Sequence, residues 1–265
     1  MDDGLTQRAH DVASSHARLL AEALGDQQVR AVWLTGSAVL GDLTASSDID
    51  TVTLLDGPPD AVDEDCLVSV HAALAAQHPD VRYDTTYLEA AALANPPDPG
   101  VVLPQSIDGR LILDRPAGEV HAVTWFTLPR AIRVAGLRPV DVEIAADREA
   151  ALAHSRANLH AYWVGSVAGG LRAALAGRGT GEVLEHPDTV VWTVLGAPRL
   201  AMFLDPTASY AGPVPSKTEA GCWVARTRPE YADLSGRALA SRHGRPARFT
   251  VADALAAADL VESLP

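Results

Sequence analysis

Leu34-Thr35-Gly36-Ser37 is followed, after ten residues that end in Ser47, by Asp48-Ile49-Asp50. The residues leading in, Val29-Arg30-Ala31-Val32-Trp33-Leu34, are partly β-branched and nearly alternating, which predicts a strand. Asp48 to Leu55 also alternates and predicts a second strand. On a strand, residues i and i+2 project from one face, so Asp48 and Asp50 point the same way while Ile49 turns into the core. Two carboxylates side by side repel unless a cation lies between them. Magnesium suits that place, because it takes oxygen ligands and usually shares them with phosphates. Gly36 leaves room for backbone to approach a phosphate, and Ser37 offers a hydroxyl and an amide at a helix start.

Upstream, Leu5, Val12, Leu19, Leu20 and Leu24 recur at helical spacing, which predicts a helix over 5–25 capped by Gly25. Residues 44–47 read as a polar loop, and Asp56-Gly57-Pro58-Pro59-Asp60 ends the second strand. A helix is expected over 62–77 and a third strand over 81–88, which carries Asp84. Beside the second strand, Asp84 would converge with Asp48 and Asp50. Three such carboxylates and a phosphate-binding turn are the parts of metal-assisted nucleotidyl transfer. Two would hold Mg2+ on a triphosphate; the third would complete the metal site or take a proton from an attacking hydroxyl. Downstream, a helix is expected over 120–135 with a kink at Pro129, and one long helix or two over 141–176. From about residue 145 the chain reads as almost wholly helical. The fold class is therefore α/β with a mixed sheet over 1–145, followed by an all-α domain over 146–265.

Composition narrows the function. The chain has 265 residues, 48% of them hydrophobic, which excludes wholesale disorder. Its formal charge of −13 argues against a general nucleic-acid binder and suits a cationic small substrate. No apolar run reaches membrane-spanning length, and the start, MDDGLTQRAHDV, has no signal-peptide pattern, so a cytoplasmic protein is expected. Cys66 and Cys222 suggest neither a disulfide framework nor a zinc site. Of the 21 basic residues only one is Lys, at position 217. Where this chain needs a plain positive charge it uses Arg, so Lys217 marks a place that calls for a compact ammonium.

The run Leu34-Thr35-Gly36-Ser37…Ser47-Asp48-Ile49-Asp50 resembles the signature of the DNA polymerase β-like nucleotidyltransferases. Val194-Leu195-Gly196-Ala197-Pro198-Arg199-Leu200 and then Ser216-Lys217-Thr218-Glu219-Ala220-Gly221-Cys222-Trp223 resemble the helical C-terminal domain of the streptomycin/spectinomycin adenylyltransferases. The resemblance implies that Gly36 and Ser37 form the triphosphate turn and that Ser47 precedes the metal-binding pair Asp48 and Asp50. It implies that Arg199 and Lys217 clamp the ATP phosphates. Asp84 falls where the family has a catalytic glutamate, and is one methylene shorter. The stretch from Leu204 to Pro215 lengthens the Arg199–Lys217 spacing and is expected as a surface loop. Glu182, Glu185 and Asp188 lie in the region of the family's acidic substrate contacts. Trp125 or Trp192 would meet the sugar-like substrate.

The resemblance thus implies an ATP- and Mg2+-dependent adenylyltransferase acting on a hydroxyl of a small cationic antibiotic, an aminoglycoside above all, with release of pyrophosphate. A monomer with ATP and a small molecule as its partners, and no nucleic acid or membrane, is expected. One rival is transfer by the same fold to another metabolite, a protein or an RNA end. Another is a nucleotide-binding regulator without turnover, against which the intact Asp-x-Asp speaks.

Overall fold

The computed structural model describes residues 3–25, 28–134 and 139–265. The chain divides into two compact units: one of residues 1–43 and 47–148, the other of 44–46 and 149–265.

The first unit opens with helix α1 (Asp3–Leu24), which turns Ala9, Val12, Ala13, His16, Ala17 and Leu20 inward at helical spacing. Gly25 ends it at φ +85°, its N–H on the Ala21 carbonyl, as a C-capping glycine should. Strand β1 (Val29–Leu34) leads into the short helix α2 (Gly36–Leu40), and β2 (Ile49–Leu55) follows. Helix α3 (Glu64–Gln77), capped by the Asp63 side chain, crosses back to β3 (Tyr83–Glu89). Short strands β4 (Gln105–Ile107) and β5 (Arg110–Ile112) form a hairpin. The unit continues with α4 (Ala122–Thr127) and β6 (Ile132–Arg133). The sheet order is β5-β4-β3-β2-β1-β6; β2 and β3 run parallel and the other neighbours antiparallel.

One face of this mixed sheet packs on α1 and α3 through Val32, Leu34, Ile49, Tyr83 and Tyr87. The other face meets Leu93, Trp125, Leu128 and Val140 through Trp33, Val52, Leu54 and Leu88. Asp50, Val52 and Leu54 alternate along β2, so the carboxylate face is this second one.

The helix expected over 120–135 is formed only in its first part, Ala122–Thr127. Helix α4 stops at Thr127, Pro129 lies in a single 3-10 turn, and Ile132 and Arg133 pair with Leu34 and Trp33 of β1. An open sheet edge outweighed local helical character. Position 135 lies outside the described residues. Residues 141–147 are irregular rather than helical: Val142, Ile144 and Ala145 pack on the core, and the Ala145 N–H donates to the Leu93 carbonyl.

The second unit is helical, as expected. A continuous helical run comprises α5 (Arg148–Asn158), a π-helical stretch (Leu159–Ala168) and α6 (Gly169–Leu175). Then come α7 (Asp188–Leu204), α8 (Lys217–Thr227), α9 (Ala232–Arg242) and α10 (Val251–Glu262). Their buried seam includes Leu159, Trp163, Val194, Leu195, Trp223, Phe249 and Leu260. Gly196 has no side chain because Trp163 lies on it; a Cβ there would stand 2.4 Å from the indole. Thr44–Ser46 group with this unit, the Ser46 hydroxyl donating to the Arg242 carbonyl at 3.3 Å.

Candidate active site

Strand β2 brings Asp50 directly opposite Asp84 of β3 in a parallel register that runs from Ile49↔Tyr83 to Leu55↔Glu89. Side chains in register on adjacent strands share a face, so the two carboxylates face the same side. Asp48 precedes β2 by one residue, on the same side as Asp50, while Ile49 between them is buried. The Thr35 N–H donates to the Asp50 carbonyl at 2.9 Å, which ties the turn after β1 to the head of β2. Gly36 sits at φ +55°, and the Asp50 carboxylate packs onto its Cα. Ser37 follows in the first turn of α2, and Ser47 is half-buried just before Asp48.

Asp84 is the most perturbed acid of this face. Burial pushes its carboxyl up to about 6; the Gly109 N–H, donating to Oδ1 at 3.1 Å, holds it down, while the charges of Asp48 and Asp108 push it further up. Asp108-Gly109 is the tip of the β4–β5 hairpin, both residues at positive φ (51° and 72°), the signature of a type I′ turn. That tip was not singled out from the sequence, although Asp-Gly between two strands is its standard signal. Arg82 was also missed. Its Nε lies 2.6 Å from Asp48 Oδ1, and a terminal nitrogen lies 3.8 Å from Asp108. The face therefore holds its own counter-charge.

Among the described residues, no three His, Cys, Asp or Glu side chains are gathered closely enough to hold a metal ion. The three aspartates are brought to one face but not into a closed cage. Asp48 turns to Arg82, Asp84 to the hairpin tip and Asp50 to Gly36. The all-oxygen donor set nevertheless fits magnesium, which is commonly held by one or two carboxylates with phosphate oxygens completing its shell.

In the second unit, Arg199 of α7 donates its Nε–H to the Pro215 carbonyl at 3.0 Å, two residues before Lys217. The Leu204–Pro215 stretch is largely an irregular loop, and it returns the chain so that both cations lie in one neighbourhood. Ser216 caps α8 in a reciprocal box with Glu219, which makes Lys217 the first helical residue. An ammonium there faces the positive end of the helix dipole, a placement that local stability disfavours.

The substrate residues fare unevenly. Trp125 is fully buried in the first unit, its indole N–H on the Ala92 carbonyl at 3.1 Å, so it belongs to the core and not to a ligand surface. Its large apolar ring is what the second face of the sheet needs. Trp192 is 37% exposed and lies 4.3 Å from Trp163 and 6.2 Å from Tyr162, ring centre to centre. Glu182 is paired with Arg178, which draws its carboxyl below the usual range. Glu185 and Asp188 are exposed, Asp188 in the first turn of α7.

Residues 17–93 match the family model for the nucleotidyltransferase domain. The protein carries a nucleotidyltransferase domain. Its turn, β2 pair and β3 carboxylate all lie within the matched segment. Among solved structures, the chain is similar to a spectinomycin adenyltransferase from Enterococcus faecialis determined with ATP and spectinomycin. The TM-score is 0.65 at 13% identity, over 95% of this chain and 96% of that one. At that identity the likeness is one of fold. No curated protein matches the sequence. No described helix is long and apolar enough to cross a membrane.

Proposed function

We propose that this nucleotidyltransferase moves AMP from ATP to a hydroxyl of a small cationic molecule of the aminoglycoside class. The observation that carries the reading is the registered pair Asp50 and Asp84 on parallel neighbours, with Asp48 on the same face and the Gly36-Ser37 turn against it. Asp48 and Asp50 are the residues that would hold Mg2+. When bound, the ion would neutralise the triphosphate and polarise its α-phosphoryl group. Asp84, with its raised pKa, accepts the proton of the acceptor hydroxyl. The hydroxyl oxygen bonds to the α-phosphorus, the bond from that phosphorus to the β-phosphate bridging oxygen breaks, and pyrophosphate leaves. Arg199 and Lys217 neutralise the charge that develops on the leaving group.

The acceptor class rests on α7. Asp188 and Trp192 stand four residues apart on one face of this helix, an exposed carboxylate beside an exposed indole. Such a pair suits an amine-bearing ring, through charge and through cation–π contact. Glu185 adds a second carboxylate nearby in the chain. The similarity of fold to a spectinomycin adenyltransferase supports the same class.

The test is pyrophosphate release from ATP and Mg2+ with a panel of aminoglycosides, other hydroxylated amines and RNA ends. Release with an aminoglycoside is the expected result. Release only with another acceptor would move the reading to a different substrate of the same chemistry, and no release with any acceptor would defeat it.

A further inference from the structure

Behind the carboxylate face, on the side of the sheet that packs against α1 and α3, five side chains are hydrogen-bonded in series. His71 Nε2 lies 2.9 Å from the Tyr87 hydroxyl, which lies 2.9 Å from His16 Nε2. His16 Nδ1 lies 2.8 Å from the Tyr83 hydroxyl. Thr51 Oγ1 is 3.0 Å from that hydroxyl and 3.0 Å from the backbone carbonyl of Asp84. All five residues are buried, His16 and Tyr87 at 0% exposure.

The Thr51 end sets the direction of the protons. The Thr51 hydroxyl donates to the Tyr83 oxygen, and the Asp84 carbonyl, which only accepts, shares the same proton in a three-centre bond. The buried Tyr83 proton then goes to a bare His16 Nδ1, the neutral His16 ring carries its own proton on Nε2 and donates to Tyr87, and Tyr87 donates to His71 Nε2. This arrangement serves every bond with both rings neutral. Burial favours neutral rings too, lowering His16 well below its ordinary value and His71 to about 4.

We propose that Thr51, Tyr83 and His16 are positioning residues for Asp84: their directed hydrogen-bond series anchors the Asp84 peptide from behind, and so sets where its carboxylate stands. This rests on the proposed role of Asp84 in nucleotidyl transfer. An aspartate has only two side-chain torsions, so its oxygens go where its backbone goes. The ladder already pairs β2 with β3 over seven residues, from Ile49↔Tyr83 to Leu55↔Glu89, so pairing itself does not require the series. Buried polar groups of this kind are commonly no more stable than an apolar filling, and what they add is a defined geometry. Here that geometry ends on the peptide of the reacting acid.

Thr51→Val removes the last donor and keeps the shape; Thr51→Ser keeps the hydroxyl. Thr51→Val is expected to lower kcat about tenfold to hundredfold with the KM for ATP within about twofold, and Thr51→Ser to stay near wild type. Tyr83→Phe is the second variant, should Thr51→Val fold poorly, and the same split is expected. Nitrogen NMR of the wild-type His16 ring is expected to find a bare Nδ1 and a protonated Nε2. Unchanged kcat per folded molecule in Thr51→Val and Tyr83→Phe, equal loss in Thr51→Val and Thr51→Ser, or the opposite tautomer overturns the proposal. A wild type that releases no pyrophosphate with any acceptor defeats the transfer reading and the positioning role with it. An active wild type with indifferent variants defeats the positioning role alone.

Discussion

The Asp50 carboxylate lies where a side chain on residue 36 would begin. A Cβ built on Gly36 would stand 1.9 Å from Asp50 Oδ2 and 2.7 Å from its Cγ, at a backbone φ of +55°. The glycine of the turn and the second aspartate of the strand are thus one fitted pair, and residue 36 cannot gain a side chain while Asp50 keeps this place.

Gly36→Ala should cost about 2–4 kcal/mol, from positive φ and steric overlap together, and should abolish transfer. Adding Asp50→Ala to Gly36→Ala should recover part of the stability and none of the activity. Urea unfolding of the two single variants and the double variant measures the coupling; additive losses would contradict the contact.

Asp84 makes the apoprotein less stable at neutral pH than it would be with a neutral group there. Its folded pKa is raised from 3.8 to about 6, so the native state binds the proton more tightly than the unfolded chain. The stabilising contribution is fully present below about pH 3.8 and is lost as pH rises through about 6. Asp84→Asn should therefore stabilise the apoprotein at neutral pH by about 1 kcal/mol, a figure discounted for solvent screening of a half-exposed group. It should gain little in acid, and it should lose transfer. Unfolding midpoints at the two pH values check the sign.

Arg82 competes with any cation for Asp48, from 2.6 Å. Arg82→Gln should bind Mn2+ or Mg2+ about threefold to tenfold more tightly in the absence of nucleotide, a modest gain because the pair is partly exposed. Calorimetric titration of the apoprotein gives the comparison, and equal affinities would remove Arg82 from the account.

Lys217→Ala should move binding and stability in opposite directions. Loss of a charge-assisted phosphate contact should weaken ATP about 10- to 150-fold. Removal of an ammonium from the first residue of α8 should leave the fold unharmed or firmer by about 0.3–1 kcal/mol. A variant that loses stability and keeps ATP affinity would make Lys217 an ordinary surface cation.

Asp188→Asn should weaken a polycationic aminoglycoside more than one bearing only secondary amines, and the difference should shrink as salt rises. Titration of both compounds with ATP and Mg2+ present reads it.

Local pattern carried the first half of the fold because its strands are long enough to alternate and its breaks are marked by Gly and Pro. Asp48 and Asp50 could be placed on one face from spacing alone, whereas Asp84 joins them only through the register of β3 beside β2. Strands of two or three residues such as β4, β5 and β6 have no period to detect, and Ile132-Arg133 is a strand only because β1 offers it an edge. Arg82 was passed over as one arginine among many, and its meaning depends on the register that sets it beside Asp48. The series from His71 to Thr51 draws on α1, α3, β2 and β3 at once, so no window of sequence contains it. Trp125 was misplaced for a related reason: a tryptophan that serves a core and one that faces a ligand look alike until burial is known.

The parallel pairing of β2 with β3 also has a consequence for how the molecule is made. Parallel neighbours need a crossover, here α3, and such non-local pairing is slow compared with a hairpin. As the chain leaves the ribosome, β1, the turn and β2 emerge first, and β1 can pair with β2 at once. Asp84 arrives only after α3 has been synthesised. The Asp50–Asp84 pair therefore forms only after α3 has emerged, and the nascent chain holds two of the three aspartates of that face before the third arrives.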